Sequence, residues 1–157
     1  MIKNKGFTLI ETIIYIALFT ILIVGGFTTA YQLIQGSDTL SVKTVTQEEG
    51  NFLLRKMDWA LTGLDSANPP IVVVNGCDSS IRIYKYAYVK NPIDFRRNVT
   101  SSSIEIQEAG SGYLPVTTSN VKATCLRFQN ISGTPAGITA TTTIDGIDFT
   151  ITKYIRK

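Results

Sequence analysis

The 157 residues allow one folded domain and one hydrophobic anchor, because a single core takes about 100 to 200 residues and a second globular domain would not fit. The absence of histidine excludes Ser-His-Asp and Cys-His catalysis, His-ligated zinc and imidazole pH switching. A formal charge of +3 is mild, and two of its fifteen positive side chains, Lys3 and Lys5, lie in the first six residues; without them 13 basic stand against 12 acidic groups, so nucleic-acid binding is not expected.

Residues 12–37 carry no charge, and the 23 residues from Thr12 to Ile34 exceed the roughly 20 that a membrane span needs. Lys3 and Lys5 precede this block and Asp38 is the first charge after it. The positive-inside rule therefore puts the N-terminus in the cytoplasm and everything beyond about residue 36 outside. An ordinary secretory signal would be cleaved after the apolar run, and Thr28-Thr29-Ala30 offers such a site; a plain anchor would need no cleavage. Neither accounts for Glu11, a carboxylate set against an unbroken apolar run, where an acidic residue costs about 2.5 to 3.5 kcal/mol at the centre of a span and less near its edge. Either Glu11 has a partner or it sits among the lipid headgroups.

The run Gly6-Phe7-Thr8-Leu9-Ile10-Glu11 resembles the processing motif of type IV prepilins and pseudopilins, and with the basic leader and the apolar helix the resemblance covers about the first 35 residues. It implies that a prepilin peptidase cuts after Gly6, that the new N-terminal residue Phe7 is N-methylated, and that Glu11 pairs with the Phe7 amine of a neighbouring subunit during assembly. The chemistry is coherent: glycine opens the scissile bond to close approach, and a methylated amine stays basic. A buried pair of this kind serves register better than net stability. Major pilins of that family often carry a helix-breaking proline near the position of Thr28. This chain has Gly25-Gly26 instead, which either softens the helix or lets helices pack closely; packing is preferred, and the missing proline favours a minor pilin or pseudopilin.

Beyond the apolar block, Leu33, Leu40, Phe52, Leu53, Met57, Ala60, Leu61 and Leu64 recur at near-helical spacing, which predicts a helix to about residue 64 with one face on a sheet. Asn68-Pro69-Pro70 ends it. The period then becomes two, and residues 71–74, 80–89, 103–108, 121–128, 138–144 and 147–154 read as strands, the last two joined by an Asp145-Gly146 turn. The fold class is α+β, a long helix on an antiparallel sheet, and it matches the pilin shape. Its divisions would be a leader at 1–6, a transmembrane or filament-core helix at 7–35, an extramembrane helical part at 36–66 and a β-rich head at 67–157.

Tyr84, Tyr86 and Tyr88 alternate and would share one strand face, as a binding surface or, by preference, as plain packing. Arg96-Arg97 with Lys85 and Lys90 would form a small basic patch or, by preference, a solvated loop. Cys77 and Cys125, the sole cysteines, fall in the segment expected outside the cytoplasm and should form a disulfide. Two cysteines without histidine do not make a zinc site, and no catalytic residues, metal or cofactor are expected. The glycosylation triplets at Asn98 and Asn130 are too short to weigh.

The reading is a non-enzymatic structural subunit of a type IV pilus or type II secretion-like filament, first single-pass in the cytoplasmic membrane and then in a periplasmic or surface filament. The resemblance implies a prepilin peptidase, other pilin or pseudopilin subunits, an inner-membrane platform protein and an assembly ATPase as partners. The alternative is a membrane-tethered binding module, an adhesin or DNA-capture domain, that never polymerises.

Overall fold

The computed structural model describes residues 8–155 and divides into two compact units, Met1–Lys43 and Thr44–Lys157. One helix, α1 (Leu9–Leu61), contributes to both. Eight strands follow: β1 (Ile71–Val73), β2 (Ser80–Ile83), β3 (Ile93–Asn98), β4 (Ser103–Glu108), β5 (Leu114–Pro115), β6 (Ala123–Ile131), β7 (Gly137–Ile144) and β8 (Ile147–Tyr154).

The first unit is helical from Leu9 onward, and its large apolar side chains from Leu9 to Ile34 are all exposed. Its threonine hydroxyls bond back to the helix itself: Thr20 donates to the Ile16 carbonyl at 2.7 Å and Thr29 to the Gly25 carbonyl at 2.9 Å. A helix that is apolar all round and closes its own polar groups suits hydrocarbon or the interior of a helix bundle. By length and composition it can cross a membrane.

In the second unit the remaining turns of α1 bury Leu53, Met57, Ala60 and Leu61 against two antiparallel sheets rather than one. The first has the order β1-β2-β3-β4-β5 and the second β6-β7-β8. Ile81, Ile83, Ile93, Phe95 and Ile104 come from the first, and Leu126, Phe128, Ile138, Ala140 and Ile144 from the second. The sheets are stitched where the Leu126 amide donates to the Cys77 carbonyl at 2.8 Å and the Ser79 amide to the Leu126 carbonyl at 3.1 Å. The Cys77–Cys125 disulfide lies at the same seam.

Local chemistry explains the boundaries. The helix stops at Leu61, three residues before the expected end and well before the prolines, because Gly63 takes a left-handed conformation (φ 72°) and Leu64 turns into a bridge with Lys85. Leu33, Leu40 and Phe52, expected on the buried stripe, are exposed; Thr46 and Gly50 are buried. At Asp145 and Gly146 φ is 48° and 80°, the two left-handed residues of a hairpin turn. The turn is pinned as well: Asp145 accepts from the Thr46 hydroxyl at 2.9 Å and from the Lys122 amide at 3.0 Å.

Two further expectations fail. The strand expected at 80–89 ends at Ile83, because Asn91 uses its side-chain amide to take both backbone groups of Lys85 (2.9 and 2.7 Å) and Ala87 is left-handed (φ 53°). Tyr84, Tyr86 and Tyr88 therefore form no ladder. Tyr86 is 78% exposed, whereas Tyr88 is half-buried with its ring set edge-on to Trp59 at 5.5 Å. The second failure is β3, a central strand where a solvated loop was preferred. Its inward positions are Ile93, Phe95 and Arg97, and Arg97 is tolerated there because it pairs with Asp78 (Nε to Oδ1 2.7 Å) and donates to the Ala123 carbonyl.

Candidate processing and assembly site

The expected processing residues Gly6 and Phe7 lie outside the described residues, as does the leader. The site that can be built begins at Thr8, which is not yet helical and whose hydroxyl accepts from the Glu11 amide at 3.4 Å. Thr8 thus stands as the N-cap, and Glu11 occupies the third helical position. Thr-x-x-Glu is the capping-box pattern, in which cap hydroxyl and third-position carboxylate help satisfy the orphan amides of the first turn. Glu11 also places a negative charge at the positive end of the helix dipole. Besides the intermolecular partner or the headgroups expected for Glu11, the run Thr8-Leu9-Ile10-Glu11 carries the signal for this local role.

Gly25 and Gly26 have nothing within 4 Å of where a side chain would project, so each leaves room for a close helix approach.

Among the described residues Lys85, Lys90, Arg96 and Arg97 are drawn to separate partners and do not form the basic patch. Arg96 pairs with Glu105 at 2.8 Å, Arg97 with Asp78, and Lys90 lies 3.9 Å from Glu108. Lys85 donates to the Trp59 carbonyl and stands 4.4 Å from its ring, where burial pushes its pKa down. Burial also raises the Tyr88 hydroxyl, helped by its hydrogen bond to Glu108. Glu105 is pushed up by burial, but hydrogen bonds from Asn98 and Arg96 and the Arg96 charge outweigh this and hold it below the ordinary glutamate value. The Asn98 side chain is engaged by Glu105 and by the amides of the following turn. Among the described residues no group of three His, Cys, Asp or Glu side chains is placed to hold a metal ion.

Residues 1–27 match the family model described as "Prokaryotic N-terminal methylation motif". No curated protein and no solved structure matched the chain. The matched residues include Gly6, Phe7, Thr8 and Glu11 together with most of the exposed apolar stretch.

Proposed function

Starting from a chain that carries a prepilin-type methylation motif, the mark of type IV pilin-like proteins, we propose that it is a structural subunit, a minor pilin or pseudopilin, with no catalytic activity of its own. A prepilin peptidase cuts after Gly6 and the Phe7 amine is methylated. The observation that carries the reading is the coincidence of the motif with an unbroken, all-exposed apolar helix closed on its own hydrogen bonds. Such a helix needs a second burial environment, and a membrane before assembly and neighbouring helices afterwards supply it in turn.

In this reading residues 7–35 span the cytoplasmic membrane with the leader inside, and residues 36–66 and the β-rich head at 67–157 lie outside. Glu11 meets the Phe7 amine of an adjacent subunit, which offsets the cost of both charges and sets the axial register. Other pilin-like subunits are the direct partners, with a platform protein and an assembly ATPase acting on the membrane-bound form. Gly25-Gly26 replaces a helix-breaking proline, which favours a minor subunit.

The test is the intact mass and N-terminal peptide of the protein taken from membranes of its own cells. A chain beginning at N-methylated Phe7 is expected. A chain beginning at Met1 would leave a simple anchor, and one beginning at Tyr31 would identify an ordinary signal peptide; either overturns the proposal.

A further inference from the structure

Of the four described arginines in the β-strands, three are paired with carboxylates: Arg82 with Asp94, Arg96 with Glu105 and Arg97 with Asp78. The fourth, Arg127, has no carboxylate partner among the described residues; its side chain meets the disulfide instead, with Nη2 donating to Cys77 Sγ at 3.4 Å. Local geometry brings the three groups together. Cys125 and Arg127 are two residues apart in β6 and so emerge on one face of that strand. The turn at 75–78, closed by the Asp78 amide on the Asn75 carbonyl at 2.8 Å, sets Cys77 beside them.

The two sulfurs therefore have unlike surroundings. The charges at Cys77 are Asp78, Arg97 and Arg127, and Arg97 neutralises Asp78 (Nε to Oδ1 2.7 Å), which leaves the Arg127 charge uncompensated. Cys125 stands opposite Thr143 of β7, which in turn stands opposite Asp148 of β8 and donates to its carboxylate at 2.6 Å. The charge that β7 and β8 bring to the Cys125 row is thus negative. A thiolate is favoured beside a guanidinium and disfavoured beside a carboxylate. Both cysteines are half-buried, so a small thiol can reach either.

We propose that the Cys77–Cys125 link is a directional thiol-exchange site, in which Arg127 makes Cys77 the thiolate end and Cys125 the sulfur that takes an incoming thiol. The incoming thiolate bonds to Cys125 Sγ, the Cys77–Cys125 bond breaks, and its electron pair leaves on Cys77 Sγ beside Arg127. A second thiolate then bonds to the first at the mixed disulfide, and Cys125 leaves as a thiolate that takes a proton from water. Two thiols have become one external disulfide, and the two cysteines hold the two electrons. In the reverse direction the Cys77 thiolate attacks an external disulfide first and Cys125 closes the link. Exchange adds or removes a covalent tie where the two sheets meet, and it does not depend on filament assembly. A pKa lowered by about one unit gives Cys77 about eight times the thiolate of an ordinary cysteine at neutral pH, and the weaker nucleophile takes back about threefold, which leaves an advantage of about threefold.

The experiment uses the full-length chain in detergent. Oxidised protein is exposed briefly to reduced glutathione, quenched with acid and digested; the adduct is expected on Cys125 over Cys77 by about threefold. Arg127→Gln should bring the two sites to parity, and Arg127→Lys, which keeps the charge, should retain the preference. In a second measurement the reduced chain is pulsed with iodoacetamide from neutral to alkaline pH. Cys77 should react about threefold faster than Cys125 at neutral pH and reach half its full rate about one pH unit lower, a difference that Arg127→Gln and concentrated urea each remove. An adduct shared evenly or seated on Cys77, or a Cys125 preference that survives Arg127→Gln, would overturn the proposal. Equal alkylation of the two cysteines in a folded reduced chain would overturn it as well. The glutathione measurement starts from the linked, folded protein, so it decides the matter for a chain that unfolds on reduction.

Discussion

Gly50 lies on the buried side of α1, and a methyl group added there would run into the Phe149 ring of β8. Two effects of Gly50→Ala oppose one another. Alanine favours the helix by about 1 kcal/mol over glycine, while forcing a methyl into a filled site costs about 1 to 3 kcal/mol. Phe149 is half-buried and its ring can yield only by leaving the core cluster it packs on, so the clash should win by about 1 kcal/mol. That corresponds to a fall in melting temperature of about 4 °C. In a Phe149→Ala background the obstacle is gone, and the same substitution should stabilise by about 1 kcal/mol, which makes the coupling between the sites about 2 kcal/mol. The assay is denaturant unfolding of the full chain in detergent, followed by fluorescence of Trp59, the sole tryptophan. Additive effects within about 0.5 kcal/mol, or stabilisation by Gly50→Ala in the wild-type background, would refute the placement of β8 on the helix.

Replacing both Cys77 and Cys125 by serine opens a link across 48 residues and should cost about 4 kcal/mol on the chain-entropy account; urea midpoints that do not respond to the double variant or to reductant would contradict it. Glu105, whose pKa is held below the ordinary value of 4.5, should contribute stability that is full above that value and lost as pH falls through its lower folded value; Glu105→Gln should flatten the urea-midpoint profile as pH falls below 4.5, and an unchanged slope would refute the assignment. Glu11→Gln keeps a side chain able to complete the capping box but removes the charge. Cleavage after Gly6 should therefore persist in the N-terminal mass while the yield of sheared filaments collapses; wild-type yields would mean that Glu11 acts as a cap alone.

Sequence by itself determined whatever rests on neighbours along the chain. The apolar block, the leader motif, the lower part of the stripe at Leu53, Met57, Ala60 and Leu61, and the hairpin at Asp145-Gly146 depend on spacing and turn chemistry within a few residues, and spacing is visible in one dimension. The Thr8 N-cap, whose hydroxyl accepts from the Glu11 amide, belongs to this class as well. With only two cysteines in the chain, their pairing required a count and an oxidising compartment.

Tertiary structure alone decided where contacts distant in sequence override the local pattern. The charges of Asp94, Arg96 and Arg97 hide β3, because the partners that make a strand of them, Arg82, Glu105 and Asp78, come from other segments. Asn91 ended the expected strand at 80–89 by binding Lys85 across six residues, which broke the tyrosine alternation. The division into two sheets depends on which edges meet at Cys77 and Leu126. Periodicity announces that a residue has a buried face; only the folded chain, by closing backbone hydrogen bonds and neutralising charge between distant segments, decides what that face is buried against.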